Sequence, residues 1–336
     1  MLKYILKGGQ YMNIATIGTS WITESFISAA KKVEGIKLYA VYSRSMQNAE
    51  SFAEKNGAEK YYSDLGEMLS DKNIDSVYIA SPNVFHYEQS KVCLLNGKHV
   101  IVEKPATATE EQMRELSALA ESLGLVYCEA IMSVHTSAFE TLKKAISETG
   151  LLRTVNLNYC QLSSKYPLYT AGKNPNIFNP EMQTGCLMDI GVYNVYLAAA
   201  LFGMPDEIMS SADFLKSGAD SNGCAILKYK HRTVTLIYSK IAQNYSPSEF
   251  AGDLGTVSVE SVSQLTGIKF ITKTGEKELV SPDISRDDVM KQEAAFFLDM
   301  VNSRDFTDER YVFARETAFT VRRITDIIRK QNRFPF

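Results

Sequence analysis

Histidine is scarce in this chain: there are four in 336 residues, and none stand at metal-ligand spacing. A zinc site needs clustered His, Cys or carboxylate ligands, so no metal chemistry is expected. Cysteine is thin and dispersed, at Cys93, Cys128, Cys160, Cys186 and Cys224, with no C-x-x-C pair. That pattern predicts reduced core thiols in a reducing compartment, and hence a cytoplasmic protein. No run approaches ~18 consecutive apolar residues, so no membrane span is expected. The early apolar run Tyr4-Ile5-Leu6 is broken by Lys7-Gly8-Gly9. It falls short of the ~7–15 apolar residues of a secretory signal, and residues 1–11 read as a loose extension ahead of Met12. An excess of charge of one sign is also missing. Thirty-six basic and 39 acidic residues leave a net charge of −3. That balance gives no footprint for nucleic acid, and no like-charge block marks a disordered tail.

What is present is a globular composition, 45% hydrophobic and 22% charged, in a chain longer than one core usually supports. Two domains are expected: 12–133 and 134–336. In the first, short apolar strands alternate with amphipathic helices. Strands are expected at Ile14–Gly18, Leu38–Tyr42, Ser76–Ala80, Val100–Glu103 and Leu125–Glu129. Helices are expected at Thr23–Val33, Met46–Asn56, Asp64–Leu69, Phe85–Asn96 and Glu110–Leu123. Alternation of this kind argues for βαβ units and a doubly wound parallel sheet, a Rossmann domain in an α/β protein. After Glu129 strand follows strand, at Thr154–Leu162, Glu207–Phe214, Cys224–Tyr229, Thr233–Lys240, Thr256–Ser261 and Lys269–Thr272, which predicts an α+β domain with a large, open, mostly antiparallel sheet. The alternation in Val234–Tyr238 predicts one covered and one free face. Two helices, near Val289–Asn302 and Glu309–Arg329, are expected to close that second domain.

The first βα turn reads Gly18-Thr19-Ser20-Trp21-Ile22-Thr23. Against the dinucleotide fingerprint G-x-G-x-x-G/A, only the first glycine stands. Ser20 replaces the glycine that lets a pyrophosphate approach, and the bulkier Thr23 replaces the residue that packs the helix close. The backbone N–H groups of Trp21 and Ile22 would still face an anion. Taken alone, the loop equally describes a plain β–α turn. The second strand ends Ser43-Arg44-Ser45, with no acid. A carboxylate there would hold a ribose 2′-hydroxyl, whereas Arg44 suits a 2′-phosphate, with Ser43 as a further donor. The expected cofactor is NADP(H), with NAD(H) as the alternative. Arg44 also reads as a solvated arginine ahead of a helix capped by Ser45.

Further along stand Ser81-Pro82-Asn83-Val84-Phe85-His86 and GKHVIVEKP, residues 97–105. With EMQTGCLMDIGVY at 181–193 and Glu129-Ala130, they resemble the motifs of the glucose–fructose oxidoreductase / inositol dehydrogenase (Gfo/Idh/MocA) family. The resemblance runs from Met12 over nearly the whole chain. Tyr193, where inositol dehydrogenases carry histidine, resembles the dimeric dihydrodiol dehydrogenase subgroup. The family implies a Rossmann domain followed by an open-sheet domain, with homodimers or homotetramers formed through the free sheet face. It implies hydride transfer between a nicotinamide and a sugar-like, polyol or diol carbon. In that scheme Tyr193 is the acid/base, Lys104 the cation beside it, and Asp189 holds a hydroxyl or positions Lys104. Ser81, Pro82, Asn83, His86 and Glu103 would shape the cofactor pocket. Asp189 and Tyr193, four apart on an expected helix, would share a face, and Gly191 between them suggests a close neighbour. The chain departs from the family at Ser20, at Thr184 ahead of Gly185, and at Val134 and Ser137. His135 is expected to meet the substrate instead, and the segment 163–179 with Tyr166 and Tyr169 to cover it. The expected function is an NADP(H)-dependent oxidoreductase acting on a small carbonyl or alcohol, without nucleic acid or membrane. The competing class is a regulator of the same fold that binds NAD(P) without turnover. A homoserine or dihydrodipicolinate reductase is a third reading, and it lacks D-x-G-x-Y at this place.

Overall fold

The computed structural model describes residues 11–336. Of the expected extension, residues 1–10 lie outside the described residues, and Tyr11 is exposed. Contacts divide the chain into two compact units. Among the described residues, one comprises residues 11–132 together with Ser285–Arg315; the other is Ser133–Ile284 with Glu316–Phe336.

The first unit alternates as expected: β1 (Met12–Ile17), α1 (Trp21–Ala30), β2 (Ile36–Tyr42), α2 (Met46–Asn56), β3 (Lys60–Tyr62), α3 (Leu65–Ser70), β4 (Ser76–Ile79), α4 (His86–Leu95), β5 (His99–Glu103), α5 (Glu110–Ser122) and β6 (Tyr127–Ala130). All six strands are parallel, in the order β3-β2-β1-β4-β5-β6. The order reverses between β1 and β4, where doubly wound sheets bind ligands at the carboxyl ends of their strands. The helices start where the sequence offers caps. Ser45 accepts from the Asn48 amide, Asp64 from Glu67 and Thr109 from Gln112, each satisfying an amide that a helix start leaves open. Val77, Tyr78 and Ile79 are fully buried, as a strand covered on both faces requires.

The second unit opens with α6 (Ser137–Ser147) and β7 (Thr154–Cys160), then α7 (Tyr166–Thr170) and α8 (Val192–Phe202). Its strands continue as β8 (Glu207–Phe214), β9 (Asp220–Tyr229), β10 (Arg232–Ser239), β11 (Ser248–Ala251), β12 (Thr256–Ser261), β13 (Thr266–Thr272) and β14 (Gly275–Val280). They form one eight-stranded sheet, β14-β13-β12-β11-β7-β10-β9-β8. Every neighbour is antiparallel except β7 with β10. Val234, Leu236 and Tyr238 are wholly buried while Ile237 is 41% exposed. Within this chain the sheet therefore has the covered face and the free face that the alternation implied. Burying each such apolar side chain contributes about 1.5–3 kcal/mol. Asn194 of α8 donates its side-chain amide to the Ile237 carbonyl at 3.0 Å, which ties the helix to the covered face. The segment Pro180–Phe202 is long and apolar enough to cross a membrane, but 78% of its apolar window is buried inside the protein. It is the core helix of this unit.

Two helices close the chain, α9 (Arg286–Ser303) and α10 (Glu309–Gln331). Here the expected boundary needs correction. Residues 285–315 were expected in the second domain, and they pack in the first unit. The cause is the match of α9 to α1. Asp287 accepts from Ser28 at 2.6 Å and pairs with Lys32 at 3.1 Å, and Leu298 lies against Gly35.

Candidate active site

The turn after β1 begins at Gly18, whose φ of +113° is a conformation L side chains rarely adopt. A Cβ there would stand 2.6 Å from the Ala80 carbonyl oxygen. Glycine is therefore required for the turn itself. Ser20, by contrast, has φ −91° and ψ 172°, ordinary extended backbone. The missing second glycine costs nothing in conformation. The Ser20 hydroxyl caps no amide of α1 and lies 3.4 Å from the Thr23 hydroxyl. Thr23 is fully buried. The first amides of α1 have no acceptor inside the helix, which is what an anion at a helix N-terminus requires. Trp21 is 65% exposed, with the Arg286 guanidinium 5.4 Å from its ring centre.

At the end of β2, Arg44 is exposed and stands 5.9 Å from the Phe85 ring centre. Ser45 does cap α2, through the Asn48 amide at 3.4 Å, and the Ser43 hydroxyl accepts the Ser45 amide at 3.5 Å. The Ser43 proton is left available to donate. The capping reading of Ser45 and the phosphate reading of Arg44 are compatible.

The β4 and β5 ends are joined by His86. It is 1% exposed, and its two ring nitrogens lie 2.7 Å from the Ser81 carbonyl and 2.9 Å from the Pro105 carbonyl. His86 thus bridges the Ser81-Pro82-Asn83 turn and the Glu103-Lys104-Pro105 segment. Ser81 donates to Gln89 at 2.6 Å, and Asn83 opens a short 3₁₀ turn. The Lys104–Pro105 peptide is cis. Glu103 accepts from the Tyr78 hydroxyl at 2.5 Å, and Tyr78 stacks on Phe26 at 3.8 Å. Burial pushes the Glu103 carboxyl up, opposed by the Tyr78 hydrogen bond and by Lys104. The amide of Ala106 donates to Glu129 at 2.7 Å, which fixes the chain beyond Lys104.

The second unit presents Asp189 and Tyr193. The stretch expected as one α-helix begins as a π turn, Leu187–Gly191, and becomes α8 at Val192. The two residues therefore do not follow the simple i,i+4 geometry of an α-helix. Such turns, with i→i+5 bonding, concentrate at functional sites. The expected close neighbour of Gly191 is Tyr238, whose ring would lie 2.9 Å from a Cβ at that position. Tyr193 is 7% exposed, with Tyr159 5.8 Å away, centre to centre. Asp189 forms a short ion pair with Lys240, itself only 7% exposed. Sequence reasoning missed Lys240. The available signal was a lysine closing an apolar strand, the same placement that drew attention to Lys104. In the 163–179 segment Tyr166, Tyr169 and Phe178 form an aromatic cluster with ring centres 5.4–6.3 Å apart. Burial lowers the His135 pKa to about 4, so its ring is neutral at pH 7. No group of three side chains suited to a metal occurs among the described residues.

Comparison with known proteins accounts for both halves. The model of an oxidoreductase family with an NAD-binding Rossmann fold matches residues 12–131, and that of the GFO/IDH/MocA C-terminal domain matches residues 139–258. The chain belongs to the GFO/IDH/MocA oxidoreductase family. It is an NAD(P)-dependent oxidoreductase acting on CH–OH groups. The oxidoreductase is 36% identical over 321 residues to the scyllo-inositol 2-dehydrogenase (NADP(+)) IolU of Bacillus subtilis (strain 168), covering 95% of this chain and 97% of that protein. It is 35% identical to the uncharacterized oxidoreductase YgjR of Escherichia coli (strain K12), covering 94% and 97%. Among solved structures, a levoglucosan dehydrogenase in complex with NADH and levoglucosan shares the fold of this oxidoreductase. The TM-score is 0.84 at 18% identity, covering 97% of this chain and 100% of that one.

Proposed function

We propose that this oxidoreductase interconverts an alcohol and a carbonyl on a cyclic polyol, sugar-like or diol substrate, with NADP(H) as cofactor. The observation that carries the cofactor preference is Arg44 at the end of β2, exposed where an NAD site would place a carboxylate. The relative named as an NADP(+)-dependent scyllo-inositol 2-dehydrogenase supports both the cofactor and the substrate class. Gly18, Thr19, Ser20, Trp21 and Ile22 would hold the pyrophosphate, and Ser43 and Arg44 the 2′-phosphate. Ser81, Pro82, Asn83, His86, Glu103 and Lys104 would line the nicotinamide side.

The bound dinucleotide supplies or accepts the hydride. The protein must then manage the proton on the substrate oxygen. Tyr193 is the acid/base. A tyrosine ordinarily titrates near ~10, and a cation beside its oxygen favours the ionised form. Lys104 supplies that cation and orients the substrate oxygen. Asp189, held by Lys240, accepts a hydrogen bond from a neighbouring substrate hydroxyl. The free sheet face, with Met209, Ile226 and Ile237 exposed, would join copies into a homodimer or homotetramer. The five free thiols suit a cytoplasmic location.

The test is NADPH and NADH oxidation against inososes, aldoses, osones and aromatic diketones. NADPH is expected to show the higher kcat/KM. Tyr193→Phe and Lys104→Met should each lower kcat by about 10²–10⁴-fold. Near-normal turnover in both variants would refute the acid/base scheme. Tight NADPH binding without turnover on any substrate would instead favour the regulator.

A further inference from the structure

The helix that carries Asp189 and Tyr193 starts without a local cap. Its first helical bond runs from the Asp189 amide to the Gly185 carbonyl, at 3.2 Å. Gly185 therefore stands where Ser, Thr, Asp or Asn usually supplies a side-chain oxygen to the second or third amide. It has no side chain to offer, and its φ is +140°. The oxygen comes from elsewhere. Asp220, the first residue of β9 and 1% exposed, accepts the Leu187 amide on Oδ2 at 2.6 Å. The Cys186 amide favours the charged form of the same carboxyl.

The fit is reciprocal. A Cβ on Gly185 would stand 1.9 Å from Asp220 Oδ1 and 3.0 Å from its Cγ. The carboxyl occupies the space a residue-185 side chain would take. At the far end of the π turn, Gly191 rests on the Tyr238 ring, and Gly223 of β9 takes the Tyr238 hydroxyl end, 2.7 Å from its ideal Cβ. Three glycines thus let two side chains of the sheet, Asp220 and Tyr238, set the position of the turn. The Tyr238 hydroxyl and Asp220 Oδ1 are buried without a hydrogen-bond partner among the described residues. Neither is used by the chemistry proposed above.

We infer that Asp220 is a positioning residue for the reaction: it caps the π turn 187–191 from a distant strand, in the space Gly185 leaves open, and so holds Asp189 and Tyr193 in register. This rests on the roles given to Asp189 and Tyr193 in the proposed function. Asp220 meets neither substrate nor cofactor in this account, and it acts through the turn. Burial pushes its carboxyl up to about 7, against the pull of the Leu187 amide. An uncharged side chain with the same oxygen should therefore serve nearly as well.

The experiment compares full-length Asp220→Ala, Asp220→Asn and Gly185→Ala with the wild type. Three quantities are read: kcat, the NADPH dissociation constant, and amide hydrogen exchange of the 184–196 peptide. A misplaced catalytic group costs about 10²-fold in rate, and Asp220→Ala should lose kcat on that scale with NADPH binding unchanged. Exchange should accelerate at residues 186–191 and not in peptides of the first unit. Asp220→Asn should recover most of both the rate and the protection. Gly185→Ala should resemble Asp220→Ala, and the double variant should lose less than the two single losses combined, as coupled neighbours do. Wild-type kcat in Asp220→Ala would overturn the inference. So would unchanged exchange at 186–191, or a loss in Asp220→Asn as deep as in the alanine variant. Should Asp220→Ala fail to fold, the asparagine and Gly185→Ala variants decide the question alone. If the wild type turned over no substrate, the proposed function would fail, while exchange at 186–191 would still decide whether Asp220 caps the turn.

Discussion

Gly18 and Ser20 sit two residues apart in one loop and answer to different physics. Gly18 combines φ +113° with a carbonyl oxygen 2.6 Å from where a Cβ would go. Ser20 has unstrained extended backbone. Gly18→Ala should therefore destabilise the first unit by at least about 2 kcal/mol and abolish NADPH binding. Ser20→Gly should leave the affinity within a small factor. Fluorescence titration with NADPH and a thermal melt check both, and equal losses in the two variants would contradict the account. The importance of Gly18 was legible in the fingerprint. The freedom of position 20 was not, because it depends on a backbone angle. His86 was legible as a motif residue, but its role was hidden: its ring nitrogens meet the Ser81 and Pro105 carbonyls, 5 and 19 residues away along the chain. His99 carries a second prediction at this scale. Its Nδ1 accepts the Val126 amide at 2.9 Å, and burial, aided by Arg304, lowers its pKa from 6.5 to about 4. The unfolded chain takes up this proton first as pH falls. The stabilisation is thus complete above pH 6.5 and lost progressively toward pH 4. At 1.36 kcal/mol per pKa unit, up to about 3 kcal/mol is at stake. His99→Asn, which keeps an acceptor that does not titrate, should flatten the fall in Tm between those pH values. An unchanged slope would show that His99 is not the titrating group.

At the scale of elements, the legible parts are those with strong period and caps. Met46–Asn56, Glu207–Phe214 and Thr256–Ser261 have the boundaries their patterns imply. β3 and β11 escaped the pattern. The first is three residues long with no buried side chain, and the second is four residues long, flanked by polar loops. Edge and filler strands of this kind are defined by their neighbours' hydrogen bonds, which no local pattern encodes. The π turn was hidden for a related reason. DIGVY reads as α-helix, and only the ring of Tyr238 beneath Gly191 makes the wider turn intelligible. Gly191→Ala would push a methyl into that ring, an overpacking cost of about 1–3 kcal/mol, and should lower kcat because the displaced turn bears Asp189 and Tyr193. Adding Tyr238→Leu, which removes part of the ring, should restore some of the lost stability. Denaturant melts of the single and double variants measure this directly, and strictly additive losses would exclude the contact as the cause.

At the scale of the whole molecule, the fold class was legible because strand and helix alternate in one half and strand follows strand in the other. The partition of the chain was not. Residues 285–315 follow the antiparallel sheet in sequence, so continuity assigns them to it. Their own apolar face is equally suited to either unit, since amphipathicity says that a helix is covered and not by what. The structure covers α9 with α1. Ala294 and Phe297 are wholly buried, and Ser28, Lys32 and Asp287 close the solvent edge. A fragment ending at Met132 would leave the α1 surface that α9 covers open to water. At roughly 25 cal/mol per Å² of apolar surface, uncovering one helix face removes several kcal/mol, a large share of a stability that is ordinarily about 5–15 kcal/mol. Residues 11–132 alone should therefore be molten or aggregate. The same residues joined by a flexible linker to 285–315 should melt cooperatively and bind NADPH. Circular dichroism melts and NADPH titration of the two fragments separate the cases. A cooperative, NADPH-binding 11–132 fragment would show that α9 covers the Rossmann unit without being needed to complete it.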